Sequence, residues 1–189
     1  MQTRFAEFFD KTDRLLAQST SLIIAIDGRC GSGKTTLAKE LHRRFGARII
    51  HIDDFFLPAN ERTPQRMAQP GGNIHTERLI QEVMSHLTDT HLCYNAYRCQ
   101  NGSYEQTVLP TSKLTVVEGS YSLLPQLREY YDLKIFCDIS EAEQKRRILE
   151  RNKDNACVFF EKWIPMEELY FNSLGIREIC DIILDMEKD

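Results

Sequence analysis

Apolar residues along the 189-residue chain recur with two different periods. Leu22-Ile23-Ile24-Ala25-Ile26 is short and continuous, the pattern of a strand buried on both faces, and predicts a strand over 22–27. Leu37, Leu41 and Phe45 then fall at helical spacing and predict a helix over about 34–45, with Gly46 as its stop. β-rich runs predict further strands over 48–52, 114–117, 133–137 and 180–184. Leu79, Ile80, Val83, Met84 and Leu87 predict a helix over 76–87, and two more helical stretches follow, a densely charged one over about 140–153 and another over 165–174. Phe5, Phe8, Phe9, Leu15 and Leu16 predict an N-terminal helix over about 3–18, with its apolar face packed on the domain.

Two regions break the alternation. Residues 55–73 hold Pro58, Pro64, Pro70, Gly71 and Gly72 and read as loop, whereas 92–112 carry aromatics and turn formers around Asn101-Gly102, a hairpin signal. Strands alternating with helices imply an α/β fold: a mostly parallel sheet, helices on both faces in three layers, and a small antiparallel excursion. The length suits one domain over 1–189, with no repeat or linker inside it.

Composition narrows the functions. No apolar run is long enough to span a bilayer, and the first residues lack the apolar core of a secretory signal. A net charge of −4 argues against an extended nucleic-acid surface. The six cysteines show no CxxC spacing and the five histidines no metal-ligand spacing, so free thiols in a reducing cytoplasm are expected and a zinc site is not.

The predicted first strand runs straight into Gly28-Arg29-Cys30-Gly31-Ser32-Gly33-Lys34-Thr35, which completes the phosphate-loop pattern GxxxxGK[ST] between a strand and a helix. Glycines let the backbone turn tightly so that successive N–H groups point at phosphate oxygens, and the helix that starts there adds the positive end of its dipole. Lys34 is placed to reach the β- and γ-phosphates, Thr35 to ligate Mg²⁺, and Thr36 closes the segment as a helix residue. Cys30, inside the loop, would be redox-sensitive only if its thiol pKa were lowered. The fold class is therefore that of a P-loop NTPase.

A phosphate loop alone does not say where the phosphate goes. Asp53 and Asp54 follow the second strand, and Glu118 follows Val116-Val117; both places lie at the carboxyl edge of a parallel sheet, where ligands bind. A carboxylate at Asp53 would orient an acceptor hydroxyl and take its proton, and one at Glu118 would help hold Mg²⁺. Lys145, Arg146, Arg147, Arg151 and Lys153 give the charged helix a basic side.

In the order GRCGSGKTT, IDDFF, PGGNIHTERL, VVEGSYSL and EQKRRILERN, the chain resembles the uridine kinase and phosphoribulokinase-like group of P-loop kinases over roughly residues 20 to 184. The resemblance implies phosphorylation of a small-molecule hydroxyl by ATP with Mg²⁺, with Asp53 as base and a supporting Mg²⁺ ligand. Asp54 falls where better-known members often carry serine. The basic helix corresponds to a lid that closes over ATP, with Arg147 and Arg151 as the positional matches. Phe56, His75, Tyr94 and Arg98 are the acceptor-side candidates. Two of these depart from the group's pattern: Phe56 replaces a common tyrosine, and Asn73-Ile74-His75 replaces N-aromatic-D, putting an imidazole where a carboxylate would hold ribose hydroxyls.

A nucleoside such as uridine or cytidine is thus the leading acceptor, with nicotinamide riboside, pantothenate or a sugar phosphate as alternatives. A regulatory ATPase acting on a protein partner is the competing class. A guanine-reading NKxD segment is absent. ATP over GTP, the acceptor and the oligomeric state are left open by the sequence.

Overall fold

The computed structural model describes residues 5–187. Among the described residues seven α-helical segments and seven strands follow in order, with short 3₁₀ and π turns between them: α1 (Ala6–Gln18), β1 (Leu22–Gly28), α2 (Lys34–Phe45), β2 (Arg48–His51), α3 (Pro64–Met67), α4 (Thr76–Glu82), β3 (His91–Arg98), β4 (Ser103–Pro110), β5 (Leu114–Glu118), β6 (Leu133–Asp138), α5 (Glu141–Arg151), α6 (Ala156–Val158), α7 (Ile164–Leu174) and β7 (Ile182–Asp185). Five strands form one parallel sheet in the order β2-β5-β1-β6-β7, and β3 and β4 form a separate antiparallel hairpin.

Strand alternation divides the apolar residues between two cores. Ile24, Ile26, Val116 and Ile135 pack against Leu37 and Leu41 of α2 and against Phe8 and Phe9 of α1. Their neighbours Ala25, Val117 and Phe136 turn to the other face, against Leu79, Leu92, Tyr170 and Phe171. Helices therefore cover both faces, the expected three-layer architecture. Register places Glu118 beside both Ile26 and His51, and Gly28 beside Cys137. The loops that leave β1, β2 and β5 consequently emerge side by side at one edge of the sheet.

Several boundaries differ from the sequence expectation. The helix expected over 76–87 breaks at Val83, whose φ/ψ of −125°/−61° leaves the helical region, and Met84–His86 form a 3₁₀ turn. Both Val83 and Met84 are buried, and the break lets these adjacent side chains reach the core together. The strand expected over 48–52 ends at His51, because Ile52–Phe55 coil into a 3₁₀ turn. The last strand starts at Ile182, and Cys180 instead ends a helical turn, its Sγ on the Ile176 carbonyl. The charged helix stops at Arg151, two residues short of its expected end, and is capped at its start by the Ser140 hydroxyl accepting from the Glu143 N–H. The hairpin turns at Asn101-Gly102 as expected, with Gly102 at φ 70°.

The expected N-terminal helix forms from Ala6; positions 3 and 4 of that expectation lie outside the described residues. Phe9 is 3% exposed and its ring meets Phe8 at 5.3 Å, Phe45 at 6.4 Å and the Arg44 guanidinium at 4.0 Å. Among the described residues no helix is long and apolar enough to cross a membrane. If α1 is integral to the core, Phe9→Ala lowers the unfolding free energy by about 3–4 kcal/mol, the usual loss for a buried phenylalanine, whereas Glu7→Ala, on the exposed side, changes it by less than about 0.5 kcal/mol. Urea denaturation measures both; equal small effects would mean that α1 adds nothing to the core.

Candidate active site

The phosphate loop owes its path to close packing at its first residue. A Cβ on Gly28, at φ 138°, would stand 2.2 Å from the Cys137 carbonyl oxygen of β6, so only glycine lets the chain leave the sheet there. Gly33 at φ 97° then starts α2 in the left-handed region. Lys34, 8% exposed, folds back onto its own loop: Nζ donates to the carbonyls of Gly28 (2.7 Å) and Arg29 (2.9 Å) and to Ser120 Oγ (3.3 Å). Thr35 Oγ1 donates to the Glu118 carboxylate at 3.0 Å, and His51 Nδ1 pairs with the same carboxylate.

Above the loop lies a cavity of about 800 Å³ lined by Cys30, Gly31, Gly33, Lys34, Thr35 and Thr36 on one side and by Asp53, Phe56 and Glu118 on the other. Arg147 and Arg151 of α5 also line it. Arg147 is held by Glu143 (2.6 Å) and by the carbonyls of Gly31 (3.2 Å) and Met186 (2.9 Å), so the basic helix already touches the loop. Gly28, Arg29 and Ser32 do not line the cavity. Arg29 turns outward to an ion pair with Glu168 of α7, and Ser32 is fully buried beneath the loop.

Asp53 and Asp54 point in different directions, through the 3₁₀ turn rather than through strand alternation. Asp53 opens to the cavity and its carboxylate accepts no hydrogen bond among the described residues. Its pKa is raised above the ordinary carboxylate value, first by loss of bulk water around it, while Lys34 opposes that shift. Asp54 is buried and clamps the hairpin: Tyr94 donates to it at 2.9 Å and Arg98 at 2.6 Å.

Of the four acceptor candidates Phe56 lines the cavity, whereas Tyr94, Arg98 and His75 do not. Tyr94 is 2% exposed against Phe55, and His75 caps α4 by accepting from the Arg78 N–H and lies near Glu77 and Glu61. These three hold the hairpin and α4 against the turn that carries Asp53.

The cavity also contains Asn73, which the sequence reading named only within its motif, and residues that reading passed over: Arg62, Tyr121, Phe159, Trp163 and Glu167. Glu167 is buried, accepts from the Cys30 N–H at 3.0 Å and from Ser120 Oγ at 2.6 Å, and so ties α7 to the phosphate loop. Tyr121, at φ 76°, holds a strained backbone in the turn after Glu118, the kind of conformation that persists only where packing enforces it. The one available signal was the cluster Trp163-Ile164-Pro165-Met166-Glu167-Glu168, a lone tryptophan and two acids just past the charged helix.

Thr35, Glu118 and Asp53 offer hydroxyl and carboxylate oxygens, a donor set suited to a hard divalent cation that takes its remaining ligands from water and phosphate. Among the described residues no group of three or more His, Cys, Asp or Glu forms a closed metal site.

No family model matches the chain. A uridine kinase of Clostridium perfringens is 28% identical over 129 residues, 62% of this chain and 61% of that enzyme. The chain thus spans about three fifths of the length of the curated relatives it matches first. Among solved structures, a candidate uridine kinase of Bacillus stearothermophilus superposes with a TM-score of 0.70 at 18% identity over 95% of this chain and 100% of its own. A candidate fructose transport system kinase of a Silicibacter species does so with a TM-score of 0.75, again at 18% identity, over 96% of this chain and 98% of its own. The structures show that the chain shares the fold of these two proteins, and in sequence it is similar to uridine kinases.

The environment of Cys30 decides its chemistry. Burial, and after it the Glu167 carboxylate, push its thiol up to about 12, which leaves roughly one molecule in ten thousand as thiolate at pH 8. Iodoacetamide at that pH should label the exposed Cys93 and Cys157 first and leave Cys30 intact, as peptide mapping would reveal. Early labelling of Cys30 would contradict this and revive a redox role.

Proposed function

We propose that this uridine kinase-like chain is an ATP- and Mg²⁺-dependent kinase that transfers the γ-phosphoryl group to the hydroxyl of a small molecule, a nucleoside such as uridine or cytidine. One observation carries the reading: the Lys34 loop and Asp53 line the same cavity of about 800 Å³. A switch that used its nucleotide only to change shape would have no need of an unpartnered carboxylate facing the loop.

In this reading the loop N–H groups and Lys34 hold the β- and γ-phosphates, and Lys34 exchanges its own-loop carbonyls for phosphate oxygens. Thr35, Glu118 and Asp53 would hold Mg²⁺, which supplies charge neutralisation on the phosphates. Asp53 orients the acceptor hydroxyl and takes its proton as the new O–P bond forms and the bond to ADP breaks. Arg147 and Arg151, which line the cavity, would offset the negative charge that spreads in the transition state, and α5 over the loop would limit loss of the phosphoryl group to water. The partners are small molecules, and the free state of all six cysteines suits a cytoplasmic setting.

The test is an ADP-release screen over nucleosides, nicotinamide riboside, pantothenate and sugar phosphates, with Lys34→Ala as blank. ADP release should depend on an acceptor, and Asp53→Asn should lower it by about 10²–10⁴-fold while ATP still binds. ATP turnover indifferent to every acceptor would overturn the reading in favour of a regulatory ATPase. A pH titration adds a sign. Asp53 acts as base only when ionised, and in the metal-free chain loss of bulk water around it raises its pKa above 3.8. Without Mg²⁺ its carboxyl carbon resonance should therefore titrate above the range of an ordinary aspartate, and the signal should be missing in Asp53→Asn; titration at or below that range would contradict the shift.

A further inference from the structure

Ser120, in the turn that leaves β5, places its hydroxyl at a junction. Three polar groups surround its Oγ: Lys34 Nζ at 3.3 Å, the Gly28 carbonyl at 3.1 Å and Glu167 Oε1 at 2.6 Å. A hydroxyl has one proton to give and two lone pairs to receive with, and an ammonium can only donate. Lys34 therefore takes a lone pair, and the proton goes either to Gly28 or to Glu167. The bond to the carboxylate is both shorter and charge-assisted, so Glu167 receives it.

That choice reaches Lys34. While Glu167 holds the hydroxyl proton, Ser120 turns a lone pair to the ammonium and leaves the Gly28 carbonyl to Lys34, which donates to it at 2.7 Å. Without the carboxylate, the same proton swings to Gly28 and competes with Lys34 for its acceptor. The second oxygen of Glu167 accepts from the Cys30 N–H at 3.0 Å, so both oxygens of this buried side chain are committed to the phosphate loop and its neighbour turn. Other bonds hold α7 in place: the Tyr170 hydroxyl donates to Asp27 at 2.7 Å, and Glu168 pairs with Arg29. A change at Glu167 leaves those in force.

We propose that Glu167 is a positioning residue, which acts through Ser120 to aim the Lys34 ammonium at the phosphate. When Lys34 gives up its loop carbonyls for phosphate oxygens, Ser120 is the partner it keeps, and Glu167 fixes that partner's direction. The consequence for turnover rests on the phosphoryl-transfer reading; the relay from Glu167 to Lys34 does not. The relay also explains why an acid is needed. Cys30 N–H and Ser120 O–H both donate to residue 167, which demands two acceptor atoms. Glutamine has the same shape but one oxygen. The Cys30 N–H cannot turn, so it claims that oxygen, and the amide NH₂ then faces Ser120 and drives the hydroxyl proton to Gly28.

The relay is read in the nucleotide-free chain labelled with nitrogen-15 at lysine, the Lys34 Nζ resonance being assigned by its loss in Lys34→Ala. Glu167→Gln and Ser120→Ala should each move this resonance, and adding Glu167→Gln to Ser120→Ala should move it no further. ADP release at saturating ATP and Mg²⁺ reads the consequence. Glu167→Gln should lower it about tenfold while ATP affinity, measured by calorimetry, stays within about threefold, which also reports that the variant is folded. In the Ser120→Ala background the same change should cost less than about twofold. A resonance unmoved by Glu167→Gln, or an equal loss of turnover in both backgrounds, would overturn the assignment, the second because Glu167 would then act through Cys30 or the fold alone. ADP release that needs no acceptor would refute the kinase reading and leave the relay standing.

Discussion

A single buried ammonium organises the site. Lys34 lies at the root of the phosphate loop, almost closed off from solvent, and a charge in that position is tolerable only if its hydrogen bonds are met and opposite charges stand near. Two carbonyls of its own loop and the Ser120 hydroxyl meet the first need. The acids around it meet the second: burial raises the pKa of Asp27, loss of bulk water in the cavity wall raises that of the exposed Asp53, and Lys34 counters both. Remove that ammonium and both carboxyls lose a charge that favours their ionised forms, the leading one at Asp53 and one that ranks after the Tyr170 hydroxyl at Asp27. The same cation that would grip a donor phosphate therefore helps keep Asp53, the proposed base, ionised.

The acids in turn tie distant segments to the loop. Asp27, fully buried at the end of β1, accepts from the N–H of Gly28 at 2.7 Å, of Leu123 at 3.0 Å and from the Tyr170 hydroxyl at 2.7 Å. One carboxylate thus joins the phosphate loop, the turn after Glu118 and α7. Glu167, one helical turn before the far end of that connection, adds the Cys30 N–H and Ser120. Asp54 plays the same part for the hairpin through Tyr94 and Arg98. Chemistry at this sheet edge depends on α7 and the hairpin being held in register with the loop, and buried carboxylates hold them.

The sheet, the phosphate loop, Asp53 and Glu118 were legible in the sequence because each follows from a local pattern: a continuous apolar run, glycines at fixed spacing, an acid at a strand's end. The positions of α1 and the hairpin followed in the same way from apolar period and Asn101-Gly102. What could not be read was which polar residues share a space. The resemblance made Tyr94 and Arg98 acceptor candidates, but not that both would bond to Asp54. Trp163, Glu167 and Asn73 reach the cavity from segments 110, 114 and 20 residues away from Asp53, a juxtaposition that only the fold creates. Val83 broke its helix for a related reason, since tertiary packing prevailed over an unbroken apolar period.

The central claim is that phosphate held at this loop leaves for a carbon-bound hydroxyl and not for water. Phosphorus-31 spectroscopy of the chain incubated with ATP, Mg²⁺ and uridine tests it directly, because the product's resonance names the oxygen that received the phosphorus. The account predicts a phosphomonoester signal growing in step with ADP, with little inorganic phosphate, and the same outcome with another hydroxyl acceptor should uridine not serve. ADP accompanied only by inorganic phosphate, whatever acceptor is supplied, would contradict it.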